Sequence, residues 1–420
     1  MKTPSAARAF ASPLLLLLAV AAGGASAWAA PAAGPAPVLL VSMDGFRWNY
    51  PLLHPEQTPH LHALAAEGIS ARELIPVYPS NTYPNHYAIV TGLYPAHHGI
   101  INNNMFDPKL GAYFHYSLAM DNHDPRWWGG EPVWVTAIKQ GRKSAVYYWI
   151  GSEAPIEGTL PSYTEPFSMA VYTSRPFQQR VDTVLRWLRL PADQRPAVVC
   201  FYLEETNSIG HKFGPESPEL IKTLAMLDGR VGALMGALDA AQLPVNLIIV
   251  SDHGMTDVSP DRVEYLDDYV DLKNVQIDFQ GPQAGLHPLN GATAEGLVQA
   301  LSKMTHAKAY LSQDLPARFH LRDNPRIPPV WIAADEGWHV ATRAYMKAPG
   351  NHNQKGDHGY DNAFRSMHGI LIAHGPAFKT GGTVIDPAPN IDIYNLMCAV
   401  LGLKPAPNDG DDRLVKAFLR

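Results

Sequence analysis

The amino-acid sequence predicts an α/β protein: a mostly parallel central sheet flanked by helices, with an inserted cap subdomain. Three observations lead there. Short apolar runs without polar alternation recur along the chain, as strands buried on both faces require. Segments with helical periodicity lie between them, the arrangement that parallel crossovers need. One interval, about 259–356, is richer in turns and breaks the alternation.

Residues 1–27 read as a secretory signal peptide. Lys2 and Arg8 precede the apolar run Leu14 to Ala22, and Ala25-Ser26-Ala27 offers small residues for cleavage. The run is too short for a comfortable transmembrane helix, so no stable membrane anchor is expected and the protein is placed outside the cytoplasm, secreted or periplasmic. Residues 28–37, "WAAPAAGPAP", read as a flexible mature N-terminus. The catalytic core is expected over 38–258 and 357–420. Its strands are "VLLVSMD" (38–44), "SAVYYW" (144–149), "AVVCFYLEE" (197–205), "NLIIVSDHG" (246–254) and "GILIAHG" (369–375). Helices are expected at 132–141 and 217–241, the second with Ser217 as its cap and Pro218 in its first turn. The cap subdomain, 259–356, has one expected helix near Ala294 to Met304 and short extended pieces.

Composition narrows the function. The 420 residues are 46% hydrophobic and 17% charged, enough apolar content for a large core. The formal charge is −6, and loss of the two cations of the leader makes it −8. That balance excludes an extended nucleic-acid-binding face and leaves room for a small anionic substrate held locally. Cys200 and Cys398 both sit in apolar runs and read as buried free thiols rather than a disulfide.

The chemistry gathers at the ends of the apolar runs. Asp44 closes the first, Asn207 and His211 follow "AVVCFYLEE", and Asp252-His253 close "NLIIVSDHG". A further turn, His358-Gly359, lies in "GDHGYDN". In parallel α/β sheets, ligands collect at the carboxyl ends of strands. Singly, each of these is an ordinary turn or a structural histidine; their shared position is the signal. Thr82, in "PSNTYPNHYAIVTG", stands before an expected helix, where Ser or Asp would cap better. A threonine hydroxyl is a poor nucleophile until a metal or base takes its proton, and two metals roughly 4 Å apart can serve attacking and leaving oxygens. His and carboxylate ligands suit zinc. His86, His97 and His98 are expected to be hydrogen-bonding or surface residues.

The stretches "VSMDGFRWNY", "YPSNTYPNHYAIVTGLYPAHHGIINNNMFD", "GHKFGPES", "VSDHGMT" and "GDHGYDNAFRSMHGILIAHGPAF" resemble the nucleotide pyrophosphatase/phosphodiesterase family of the alkaline-phosphatase superfamily. The likeness runs in chain order from Val38 to Leu403. It implies a phosphodiesterase with two Zn²⁺ ions and a covalent threonine intermediate. By position, Asp44, Thr82, Asp252 and His253 would hold one metal, and His211 and His358 the other. Asn103 matches the asparagine that assists the backbone N–H of Thr82 in stabilising the phosphoryl oxygens. In one place the chain departs: the family's "EPDxxGH" reads "ETNSIGH" here, so Asn207 replaces an aspartate at the second metal. An amide oxygen brings no negative charge, which predicts a weakened second site unless Glu204 or Glu205 substitutes.

The expected substrate is a nucleotide or other small phosphodiester, because the surroundings of Thr82 are neutral and a monoester dianion would be better held by Arg or Lys. Tyr83 and Tyr172 are candidates to stack a base. Competing readings are a choline-lipid phospholipase C with Trp127, Trp128 and Trp149 near its pocket, a phosphomonoesterase, and a metal-poor binding protein.

Overall fold

The computed structural model describes residues 35–348 and 350–420. The expected signal peptide and most of the expected flexible N-terminus lie outside them. The three most apolar runs form the middle of one sheet. Val38–Met43 lies between Pro196–Leu203 and Asn246–Val250, and every residue of the three strands is buried. Both pairings are parallel, with Val38 opposite Val198 on one side and Asn246 on the other. Such strands have no solvent face, which is why their sequences show no alternation.

Beyond Pro196–Leu203 the sheet continues in parallel through Lys143–Tyr147 to Tyr163–Glu165. On the other flank Gly369–His374 runs antiparallel to both Asn246–Val250 and Ile69–Ile75, and Thr383–Ile385 closes that edge. Helix Val133–Lys139 packs on Lys143–Tyr147 and Pro196–Leu203, and helix Asp392–Leu401 packs on Val38–Met43. Helix Pro218–Ala240 starts as its sequence predicts, with Ser217 Oγ accepting from the Leu220 N–H at 3.1 Å and Pro218 in the first turn. Cys200 and Cys398 are free and buried.

Some boundaries differ from expectation for local reasons. The run 144–149 stops being a strand at Tyr147, because Tyr148 takes a φ of 66°. The run 197–205 ends at Leu203, since Glu205 opens the helix Glu205–Phe213. Strand Ile69–Ile75 was not foreseen. Its Arg72 faces solvent beside Asp386, while its buried Glu73 is neutralised by the distant Arg365 and His368.

Within 259–356 the chain builds a second, antiparallel sheet in the order Val275–Phe279, Gln283–Pro288, Val330–Ala334, Ala307–Leu311, with helix Ala294–Leu301 against it. Leu286, Leu301, Val330 and Ile332 belong to an apolar cluster distinct from that of the central sheet. Arg326 ties this region to the loops around the central sheet. Its buried guanidinium donates to Asp107 Oδ2 at 2.7 Å and to the carbonyls of Gly99, Trp127 and Arg126 at 2.8, 2.7 and 2.9 Å. Arg326→Met would strand the Asp107 carboxylate and three carbonyls, so it should cost about 3–5 kcal/mol, read as a shifted midpoint in urea denaturation.

Candidate active site

The parallel register determines which residues meet. Ser42 pairs with Tyr202 and Val250, so Met43, Leu203 and Val250 end their strands side by side. The Asp44 N–H continues the ladder by donating to the Leu203 carbonyl at 2.8 Å. Asp44, Glu204 and Ser251-Asp252-His253 therefore emerge at one edge of the sheet. Gly45, at a φ of +67°, allows the helix after Leu203 to approach: a Cβ there would lie 3.2 Å from Asn207 Cα. Gly359, at φ +109°, does the same for the late turn, where a Cβ would meet Asn81 Oδ1 at 2.4 Å.

Two groups of side chains that could hold a metal ion result. Asp44, Asp252 and His253 form one, His211, Asp357 and His358 the other, each with ligand atoms within 4.8 Å of one another. The groups abut, for the rings of His253 and His358 stack with centroids 3.5 Å apart. All three imidazoles have Nδ1 against a backbone carbonyl: His253 on Gly254 at 2.8 Å, His211 on Gly356 at 2.9 Å, His358 on Ser80 at 3.0 Å. A carbonyl only accepts, so Nδ1 is the protonated nitrogen of each neutral ring and Nε2 is the atom it offers to a metal. His253 Nε2 itself lies 3.1 and 3.3 Å from the Asp252 and Asp44 carboxylates.

The electrostatics of the first group call for positive charge. Burial and the neighbouring Asp252 carboxylate push Asp44 up to about 7. Burial works against a charged His253, yet Asp252 and then Asp44 raise it to about 9. In the second group burial holds His211 below its usual range, and burial together with His253 and His211 depresses His358 further, which favours the neutral form of both. Asn207 Oδ1 is buried without a hydrogen-bond partner, and Asp44 Oδ1 and Asp252 Oδ2 are buried with only imidazole nitrogens at 3.1 to 3.3 Å and no well-aligned hydrogen bond. Buried carboxylate oxygens so poorly satisfied are costly, and divalent cations at these two groups would satisfy them. The residues present fit such ions.

Thr82 opens the helix Thr82–Thr91, after Asn81 in extended conformation. Its Oγ1 lies 3.2 Å from His253 Nε2, at the edge of the first group. The first-turn N–H groups have no partner within the helix. That of Tyr83 is taken by Asn103 Oδ1 at 3.0 Å, which orients the Asn103 amide with its Nδ2 as the remaining donor. Asn102 Oδ1 in turn accepts from the Asn103 N–H at 2.7 Å and from Asn81 Nδ2 at 3.1 Å. Thr82, Asn103, Asn207, His211 and His358 line a cleft of about 1000 Å³ together with Asp44.

The sequence pattern described as type I phosphodiesterase / nucleotide pyrophosphatase matches residues 38–361. The chain belongs to this family. It is 42% identical over 395 residues to ectonucleotide pyrophosphatase/phosphodiesterase family member 3 of Rattus norvegicus, covering 91% of this chain and 44% of that protein. It is also 42% identical over 389 residues to the venom phosphodiesterase of Macrovipera lebetinus, covering 89% and 44% respectively. The chain thus spans less than half the length of these relatives. The solved murine ectonucleotide pyrophosphatase/phosphodiesterase 5 superposes with a TM-score of 0.85 at 34% identity, covering 91% of this chain and 100% of that one. A second structure of it is an inactive threonine-to-alanine variant in complex with AMP, with the same TM-score and identity, covering 92% of this chain and 100% of that one.

The remaining residues sort by their reach to the cleft. Tyr83 lines the cleft, its ring edge-on to Phe114 and Tyr116. Tyr172 does not stack a base: it is 2% exposed, with the Arg180 guanidinium 3.7 Å over its ring and its hydroxyl accepting from the Glu204 N–H. Trp127 and Trp128 are buried in the core, while Trp149 reaches the cleft wall. His97 is a surface partner of Asp409, and burial pushes His98 down to about 3. His86 is a buried hydrogen-bonding residue beside the first group, 2.9 Å from Ser42 Oγ and 3.1 Å from Asp252 Oδ2. Sequence reasoning missed Asp357 and Tyr202, whose hydroxyl donates to Asp44 Oδ2 at 2.6 Å. Asp357 was findable, because "DHG" occurs twice, at 252–254 and 357–359.

Proposed function

We propose that this protein is a two-zinc phosphodiesterase that cleaves phosphodiester or pyrophosphate bonds of nucleotides through a covalent threonine intermediate and releases a nucleoside monophosphate. The observation that carries this reading is the Thr82 hydroxyl at a helix start, 3.2 Å from His253 in the first ligand group. The inactive threonine-to-alanine relative solved with AMP supports both the nucleophile and the nucleotide product. Asp44, Thr82, Asp252 and His253 would hold one zinc, and His211, His358 and Asn207 the other. When bound, such ions lower the proton affinity of attacking oxygens and offset charge on the phosphoryl group.

The chain's own groups account for the rest. Thr82 Oγ forms a bond to phosphorus as the bond to the leaving alcohol or phosphate breaks on the opposite side. The Thr82 N–H and Asn103 Nδ2 donate to the phosphoryl oxygens, where charge concentrates during the displacement. Water then attacks phosphorus and Thr82 Oγ departs, regenerating the hydroxyl. Tyr83 supplies a wall for the base. Lys212 is the one Lys or Arg among the residues lining the cleft, and it is solvent-exposed. A diester carries less negative charge than a monoester dianion, so this cation-poor cleft, which also holds Asp44, Glu153 and Glu204, favours diesters.

Among the described residues no helix is long and apolar enough to cross a membrane. The leader-like first 27 residues and the venom relatives support action outside the cytoplasm. A substrate panel on metal-analysed protein tests the reading. A nucleotide nitrophenyl diester should turn over at least about tenfold faster than nitrophenyl phosphate or nitrophenyl phosphocholine. Faster turnover of the phosphocholine ester would make the protein a choline-lipid phosphodiesterase instead.

A further inference from the structure

The second ligand group has a charge deficit that the first lacks. Asp44 and Asp252 give the first group two carboxylates. In the second, His211 and His358 offer only imidazole nitrogens, and position 207 offers only an amide whose Oδ1 is buried and unpartnered. A divalent cation among neutral ligands in a buried cleft keeps an uncompensated charge, which low dielectric makes expensive. Resting on the two-metal reading above, we infer that Asp357 supplies the negative charge that Asn207 does not, and that it sets the affinity of the second metal.

The geometry is specific. Asp357 groups with His211 and His358, its ligand atom within 4.8 Å of theirs. Its Oδ1 accepts from the His358 N–H at 2.8 Å and lies 3.7 Å from His211 Nδ1. Its Oδ2 is 2.9 Å from Nε2 of His339, which is 4% exposed. The carboxylate is therefore fixed on both oxygens and faces the imidazoles of the second group. The repeated tripeptide gives a parallel: Asp252-His253-Gly254 places a carboxylate beside the imidazole of the first group, and Asp357-His358-Gly359 does so for the second. Asp357 is a positioning residue here, acting through the charge it holds against the ligands, an arrangement in which removal of the partner typically costs 10–100-fold in metal affinity.

Zinc binding to the full chain, read by competition with a chromophoric chelator in the absence of substrate, tests this. Asp357→Asn keeps the shape and an acceptor for the His358 N–H. It should weaken one of two zinc equivalents about 10–100-fold and leave the other unchanged. Asn207→Asp in the Asp357→Asn background should return the lost affinity, because it restores a carboxylate to the same group. Asn207→Asp alone should tighten binding less than it does in that background, a coupling that a double-mutant cycle reads directly. Two equivalents untouched by Asp357→Asn overturn the inference. So does a loss that Asn207→Asp cannot rescue, which would make Asp357 a prop for His339. Should Asp357→Asn fold poorly, Asn207→Asp alone still decides: a gain as large as that expected for a group with no carboxylate, more than about a hundredfold, overturns it. A wild-type chain with a single zinc equivalent overturns the two-metal reading, and this inference with it.

Discussion

Thr82→Ala will lower turnover of a nucleotide diester by more than about a thousandfold, of the order lost when the nucleophile is deleted in other covalent enzymes. The substitution removes Oγ1 and a methyl group from a half-exposed position, and Asn81 makes no side-chain cap that it could disturb. Stability should stay within about 0.5 kcal/mol, and zinc should still bind through Asp44, Asp252 and His253. Thr82→Ser keeps an ionisable hydroxyl at 3.2 Å from His253 and should retain measurable turnover. An acid quench during turnover, followed by intact-mass measurement, should show the chain carrying one phosphoryl ester in the parent and none in Thr82→Ala. Undiminished turnover in the alanine variant would make water the direct attacker and Thr82 a helix-start residue only.

What the sequence discloses follows from how local each cause is. Strand runs 38–43, 196–203 and 246–250 are legible because burial on both faces removes polar residues from every position. Their side-by-side ends then place Asp44, Asn207, Asp252 and His253 at one edge. The helix cap at Ser217 is legible because cap and capped N–H are three residues apart. Strand Ile69–Ile75 is not, for its buried Glu73 is acceptable in a sheet only through Arg365 and His368, 292 and 295 positions away. Tyr172 shows the same limit. An aromatic residue serves a cleft wall or a core equally well, and what decides is Arg180 across its ring and the Glu204 N–H at its hydroxyl. Asp357 carried a local signal, the second "DHG", but its orientation depends on His339, which no short motif connects to it.

Stripping metal with a chelator should destabilise the protein as well as silence it. A ligand that binds only the folded chain adds about 4 kcal/mol at a thousand times its Kd, and for a domain this large that is a fall in Tm of roughly 5–10 °C. The folded chain without cations also holds two buried carboxylates, Asp44 and Asp252, close to the same His253 nitrogen at 3.3 and 3.1 Å. Burial and their mutual repulsion raise Asp44 despite the neighbouring His253 and His86, and that repulsion is an intrinsic cost of the site. Asp44→Asn should therefore act in opposite directions in the two states. With metal present it loses an anionic ligand and should melt lower than the parent. After chelation it loses the repulsion and keeps an acceptor for the Tyr202 hydroxyl that now bonds Asp44 Oδ2 at 2.6 Å. The chelated variant should then melt at or above the chelated parent. Calorimetric scans of both chains, with excess zinc and with chelator, give the four values needed. If Asp44→Asn lowers Tm by the same amount in both conditions, Asp44 is a structural carboxylate and the first group is not held together by a cation.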